Sequence, residues 1–153
     1  MKTGEAEYWL QQQLQTVYNE RESSIMAAWV FEKLTGLSRP DRLKKRDEPL
    51  QADQLQQLTV IVQRMQGNEP VQYVLGEAYF HGLQLFVDKN VLIPRPETEE
   101  LVEWIINDVK ASGKAVFNNS VNKADQTRSL KILDVGTGSG CIALALKQVM
   151  PGI

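Results

Sequence analysis

Leu130 to Leu146 reads LKILDVGTGSGCIALAL. A short apolar run, LKILDV, leads into three alternate glycines, Gly136, Gly138 and Gly140. CIALALKQVM follows with apolar residues at helical spacing, and Pro151 stops it. The pattern predicts strand, glycine turn, helix. Glycines permit positive φ and let a backbone come close to a ligand. The start of the helix offers free N–H groups and a positive dipole end to an anionic group. The carboxyl end of a parallel strand is also where open α/β sheets bind ligands. Asp134, Gly136, Thr137, Gly138, Ser139 and Gly140 are therefore expected to hold a ligand, against the blander reading of a tight turn. A dinucleotide fingerprint begun at Gly136 would need glycine where Cys141 stands, and it has no acid corresponding to Asp134. A Walker A loop would need Gly-Lys-Ser/Thr, which is absent.

Working upstream, Val91 to Trp104 reads VLIPRPETEELVEW. Pro94 is expected to end a strand, and Pro96 suits the first turn of a helix, where its missing N–H costs nothing. Glu97, Glu99 and Glu100 place negative charge at the positive end of that helix. Leu101, Val102, Ile105, Ile106 and Val109 form its apolar stripe, with Gly113 as its end. These rules leave Arg95, between two prolines, and Thr98, behind Glu97, unaccounted for. Before this helix, VQYVLGEAYFHGLQLFVDKNVLI is rich in strand-forming residues, with turn signals at Gly76, His81-Gly82 and Asp88-Lys89-Asn90. It is read as the strands of a hairpin. Residues 114–129 are polar and aperiodic, and are read as a flexible loop.

The first 70 residues have a different period. Residues 6–19 carry Tyr8, Trp9, Leu10, Leu14, Val17 and Tyr18 at helical spacing. A second helix is expected from Ser23 or Ser24 as N-cap, with Ile25, Met26, Trp29, Val30 and Leu34 apolar and Gly36 at its end. SRPDRLKKRDEPL is read as a loop or short helix. Asp53 to Met65 gives another stripe, Leu55, Leu58, Ile61, Val62 and Met65, stopped by GNEP. This is a small helical bundle.

Composition sets outer limits. The chain has 153 residues, 42% hydrophobic and 24% charged, which is globular in character. A net charge of −2 does not point to nucleic acid. No apolar run approaches the roughly 20 residues of a membrane span. No secretory signal is read at the N-terminus, so cytoplasm is the expected location. The single cysteine, Cys141, excludes an internal disulfide, and no metal site is expected. His81, the one histidine, could act as a general base, but its place beside Gly82 favours a turn residue. Cys141 reads as a small packing residue rather than a nucleophile. The basic run Arg39, Arg42, Lys44, Lys45 and Arg46 is diluted by Asp41, Asp47 and Glu48, and reads as a solvated surface. Trp9 and Trp29 are expected in the core.

The D-x-G-x-G-x-G turn resembles the first motif of Rossmann-like S-adenosylmethionine-dependent methyltransferases. Together with Glu69-Pro70, Tyr73, Gly76, Phe80, Gly82 and the run Leu92 to Glu99, it resembles the HemK-type (PrmC-like) methyltransferases, which modify a glutamine side chain of peptide-chain release factors. Residues 67 to about 149 carry the resemblance. It implies an α + α/β organisation with a helical substrate-recognition domain at 1–72, a β-hairpin linker at 73–93 and the first part of a Rossmann-like methyltransferase domain at 94–153. It implies that Asp134 and Gly136–Gly140 bind S-adenosylmethionine, and that Arg95, Pro96, Glu97 and Thr98 lie beside that pocket. It implies release factors as protein partners, with methyl transfer to the glutamine amide of a Gly-Gly-Gln motif. No membrane or direct nucleic-acid partner is expected, and the full-length form is expected to be a monomer. The family's Asn-Pro-Pro-Tyr motif and its acidic residue after the second strand are absent from these residues. The chain is thus expected to be a front half, inactive by itself and weak in cofactor binding. The competing expectation is a non-catalytic helical binding module with a vestigial Rossmann stub.

Overall fold

The computed structural model describes residues 1–112 and 130–153. They divide into two compact units, Met1–Leu75 and Gly76–Ile153. The loop expected over 114–129 and the helix end expected at Gly113 lie outside the described residues.

The first unit is helical, with α1 Thr3–Leu14, α2 Glu20–Thr35, α3 Arg39–Lys44, α4 Ala52–Gln66 and α5 Val71–Leu75. Ala6, Leu10 and Leu14, four apart, put one face of α1 into a core shared with Ala27, Val30 and Phe31 of α2 and Leu58, Val62 and Met65 of α4. That register corrects the expectation for the tryptophans. Trp9 and Trp29 sit beside the inward face rather than on it, and are 36% and 47% exposed. The start of α2 is corrected as well. Its N-cap is Asn19, whose Oδ1 accepts from the Glu22 N–H at 2.9 Å while Glu22 accepts from the Asn19 N–H at 3.4 Å. This reciprocal cap out-competes the serines downstream, and Ser23 ends up buried within the helix. Gly36 closes α2 at φ 66, as expected.

The basic run is not uniformly solvated. Arg42 is 2% exposed and donates to the Leu37 carbonyl at 2.8 Å and to Glu7 at 3.2 Å, tying α3 to α1. Backbone bonds tie the beginning of the chain to the end of this segment. Thr3 N–H donates to Glu48 O and Gly4 N–H to Arg46 O, both at 2.9 Å, and Leu50 N–H donates to Met1 O at 3.2 Å.

VQYVL, expected to be part of the hairpin, is the helical turn α5. Val71 and Val74, three apart, both enter the first core, which a strand's alternation would not allow.

The second unit contains β1 Glu77–Phe80, β2 Leu83–Phe86, α6 Pro96–Ala111 and α7 Cys141–Val149. The strands pair antiparallel with Glu77 opposite Phe86 and Phe80 opposite Leu83. His81 at φ 48 and Gly82 at φ 77 form the two-residue connection, which needs positive φ at both places. Phe80 and Leu85 of the hairpin, Val102 and Ile106 of α6, and Cys141, Ala145, Leu146 and Met150 share the second core. Cys141 is thus a packing residue. Leu101, placed on the α6 stripe by sequence, is 44% exposed. Two expected strands are not formed. Val91–Ile93 and Leu130–Val135 pair with nothing as strands among the described residues, and Leu133 and Val135 are 86% and 84% exposed. A strand needs a neighbour for its N–H and C=O groups, and β1–β2 is the only sheet described.

Candidate functional site

The glycine turn has the conformation that its composition requires. Gly136, Gly138 and Gly140 stand at φ 78, 56 and 77, a region that side-chain-bearing residues occupy with strain. A Cβ at Gly136 would meet nothing within 4 Å, so that face of the loop is open. Inside the turn, Gly140 N–H donates to Thr137 O at 2.9 Å and Thr137 Oγ1–H donates to Asp134 O at 3.2 Å. Gly140 is the N-cap of α7 and brings no side chain to its first N–H groups. Those groups remain available to an outside acceptor. Asp134 Oδ2 is buried without a hydrogen-bond partner. An orphaned buried carboxylate oxygen is costly unless a donor meets it. Open amides at a helix start beside an acceptor in want of a donor suit a zwitterion, with its carboxylate at the amides and its ammonium at Asp134. The methionine end of S-adenosylmethionine has that chemistry, so the residues present fit the cofactor expected from sequence.

The second candidate stretch starts α6. Arg95 is the N-cap, in extended conformation at φ −103 and ψ 146, and Pro96 occupies the first turn. Thr98 N–H donates to Arg95 O at 3.0 Å. Arg95 and Glu97 are exposed, and Thr98 is half-buried. α6 and α7 share one core through Val102, Ile106, Ala145 and Leu146. No hydrogen bond or ion pair among the described residues links Arg95–Thr98 to Asp134–Gly140.

His81 does more than make a turn. Its Nε2 lies 2.6 Å from Glu103 Oε1 of α6, fastening the hairpin connection to the helix. The pair borders an open groove of about 530 Å³ with Pro96, Glu99, Glu100, Trp104 and Asn107. Sequence reading missed Arg64 altogether. Its Nε and Nη2 donate to Glu69 at 2.7 and 2.6 Å, Nη1 donates to Val74 O at 3.0 Å, and Nη2 also donates to Tyr73 O at 3.1 Å. The bonds to Glu69 hold the guanidinium pKa above its usual value. An arginine in the last turn of a helix, five residues before an acid, was the available signal. Among the described residues, no group of three or more His, Cys, Asp or Glu could hold a metal ion, and no helix is long and apolar enough to cross a membrane.

Residues 5–76 match the PrmC N-terminal domain. The chain is 39% identical over 140 residues to a release factor glutamine methyltransferase of Flavobacterium psychrophilum, covering 92% of this chain and 45% of that protein. It is 41% identical over 132 residues to one of Chlorobaculum tepidum, covering 86% of this chain and 41% of the relative. It is 43% identical over 104 residues to the human MTRF1L release factor glutamine methyltransferase, covering 68% of this chain and 28% of the relative. The chain spans less than half the length of these relatives.

Proposed function

The chain is homologous over most of its length to release factor glutamine methyltransferases, and on that footing we propose that it carries the front half of an S-adenosylmethionine-dependent enzyme that methylates the glutamine amide of a release factor's Gly-Gly-Gln motif. The observation that carries the cofactor half of this reading is the unpartnered Asp134 Oδ2 beside three positive-φ glycines. Asp134 would receive the ammonium of the cofactor, and the amides of Gly136–Gly140 its carboxylate. The cofactor, when bound, supplies an electrophilic methyl group. Pro94 to Thr98 would form a neighbouring wall, with Arg95 and Glu97 free to meet polar atoms. The helical domain at 1–72 would engage the release factor, the hairpin at 73–93 would join the domains, and 94–153 would begin a Rossmann-like sheet. Leu130–Val135, mostly apolar and in no sheet among the described residues, is the segment such a sheet would take up. Cytoplasmic location and a monomeric full-length form belong to the same reading.

Residues 1–153 contain no Asn-Pro-Pro-Tyr motif, so by themselves they are expected not to transfer a methyl group. The test uses this chain and a version lengthened to the extent of the relatives. Calorimetry with S-adenosylhomocysteine should show binding to the longer protein and its loss in Asp134→Ala, with NADH silent in both. Mass spectrometry of a release factor should then show one added methyl on the Gly-Gly-Gln glutamine with the longer protein only. Binding of NADH in place of S-adenosylhomocysteine would sink the cofactor assignment. Methylation by the 153 residues alone would sink the claim that they are inactive.

A further inference from the structure

α5 is one turn long, too short to persist by helix propensity. Val71 and Val74 fix one of its faces in the first core. The carbonyls at the end of such a turn have no helical partner. Arg64 supplies donors to two of them, at Tyr73 and Val74, while its fork grips Glu69 just ahead of Pro70. One side chain of α4 thus makes hydrogen bonds at both ends of α5. On the far side of the junction, Gly76 O accepts from Val87 N–H at 3.3 Å, and Glu77 is already paired with Phe86. The division between the two compact units falls between these anchored stretches, at Leu75 and Gly76, and Gly76 stands at φ 71.

We infer that Arg64 is a positioning residue for this junction, confining the backbone freedom between the two units to Gly76. The chain then leaves the first unit from a fixed turn rather than from a loose tether of six residues, Pro70 to Leu75. The use of such a joint rests on the proposed function, in which the first unit engages the protein substrate. The joint itself does not depend on it.

Amide ¹⁵N relaxation on the 153-residue chain tests the inference. Order parameters of Val71–Leu75 are expected near the rigid value of about 0.85, like those of α4, with a dip only at Gly76. Arg64→Ala should lower Val71–Leu75 below about 0.6 while Leu58 and Val62 stay rigid. Mobile Val71–Leu75 amides in the unaltered chain would overturn the inference, as would an Arg64→Ala profile identical to the parent. If Arg64→Ala does not fold, Arg64→Lys decides. It keeps the charge without the fork, and a partial drop supports the inference while no drop overturns it. In the lengthened protein, Arg64→Lys should raise KM for the release factor several-fold with kcat little changed, and an equal fall in kcat would remove the positioning role. A lengthened parent protein with no methylation at all would count against the proposed function and leave the relaxation result standing.

Discussion

Arg64 and Glu69 meet through two parallel hydrogen bonds, Nε to Oε2 at 2.7 Å and Nη2 to Oε1 at 2.6 Å. This fork-to-fork geometry is specific to arginine. The side chains remain 40% and 33% exposed, so solvent screens part of their attraction. Arg64→Ala is expected to cost about 1–2 kcal/mol, most of it from the lost hydrogen bonds of Arg64 to the Tyr73 and Val74 carbonyls and to Glu69. Arg64→Lys should recover less than half of that. Urea unfolding followed by circular dichroism measures both. A loss equal to experimental error in Arg64→Ala would contradict the assignment.

The start of α2 gives a second test. Asn19→Ala removes the side-chain cap while keeping the backbone N–H that donates to Glu22, and is expected to lower stability by about 1 kcal/mol. Ser24→Ala, on the exposed side of the same helix, should stay within about 0.5 kcal/mol of the parent. Equal midpoints for the two variants in a denaturant titration would refute the capping assignment.

The hairpin connection makes a third prediction. His81 holds φ 48, which asparagine tolerates and β-branched residues resist. His81→Val should therefore destabilise the chain by about 1–3 kcal/mol. His81→Asn should cost less, although it also gives up the bond to Glu103. Thermal melts of the two variants side by side settle the order.

In a protein lengthened to the relatives' extent, Gly138→Val should abolish S-adenosylhomocysteine binding and lower the melting temperature without ligand only modestly, in keeping with strain of about 1–3 kcal/mol. Gly138 stands at φ 56 in a loop with open surroundings, so the strain falls on the loop rather than on the core. Calorimetric binding at parental affinity would show that the turn does not shape the ligand site.

Asp41 gives a pH dependence. Its pKa is lowered by the hydrogen bond from Ser38 and then by Lys44. A carboxyl with a depressed folded pKa contributes stability that is present above its unfolded value of about 3.9 and lost as pH falls through the lower folded value. Asp41→Asn should therefore differ most from the parent near neutral pH and converge with it in acid. The effect is small for so exposed a group. Helicity followed by circular dichroism between neutral pH and pH ~2 checks the sign.

Much of this structure was legible because local rules sufficed. Pro96 and the glutamates behind it placed α6, Gly36 ended α2, and the alternate glycines announced a positive-φ turn ahead of a helix. Several misreadings share a cause, a partner distant in sequence. Ten positions separate Arg64 from Val74, so nothing within VQYVL revealed that it would be held as a helical turn. Arg42 looked like any member of a basic run until Glu7, 35 residues away, gave it a place inside. Leu130–Val135 had the composition of a strand, but composition cannot supply a neighbour. At the candidate site, the sequence offered Asp134 as an acid near glycines. Only the fold showed that one of its oxygens is buried and unpartnered.

Met1, Thr3 and Gly4 exchange backbone hydrogen bonds with Leu50, Glu48 and Arg46, so the opening residues act as a clasp on the segment that carries the chain from α3 to α4. Anyone trimming them for crystallisation would free the Leu50 N–H and the Glu48 and Arg46 carbonyls at once, and would loosen a leucine that is only 7% exposed. An affinity tag is better joined ahead of Met1 through a flexible spacer than substituted for those first residues.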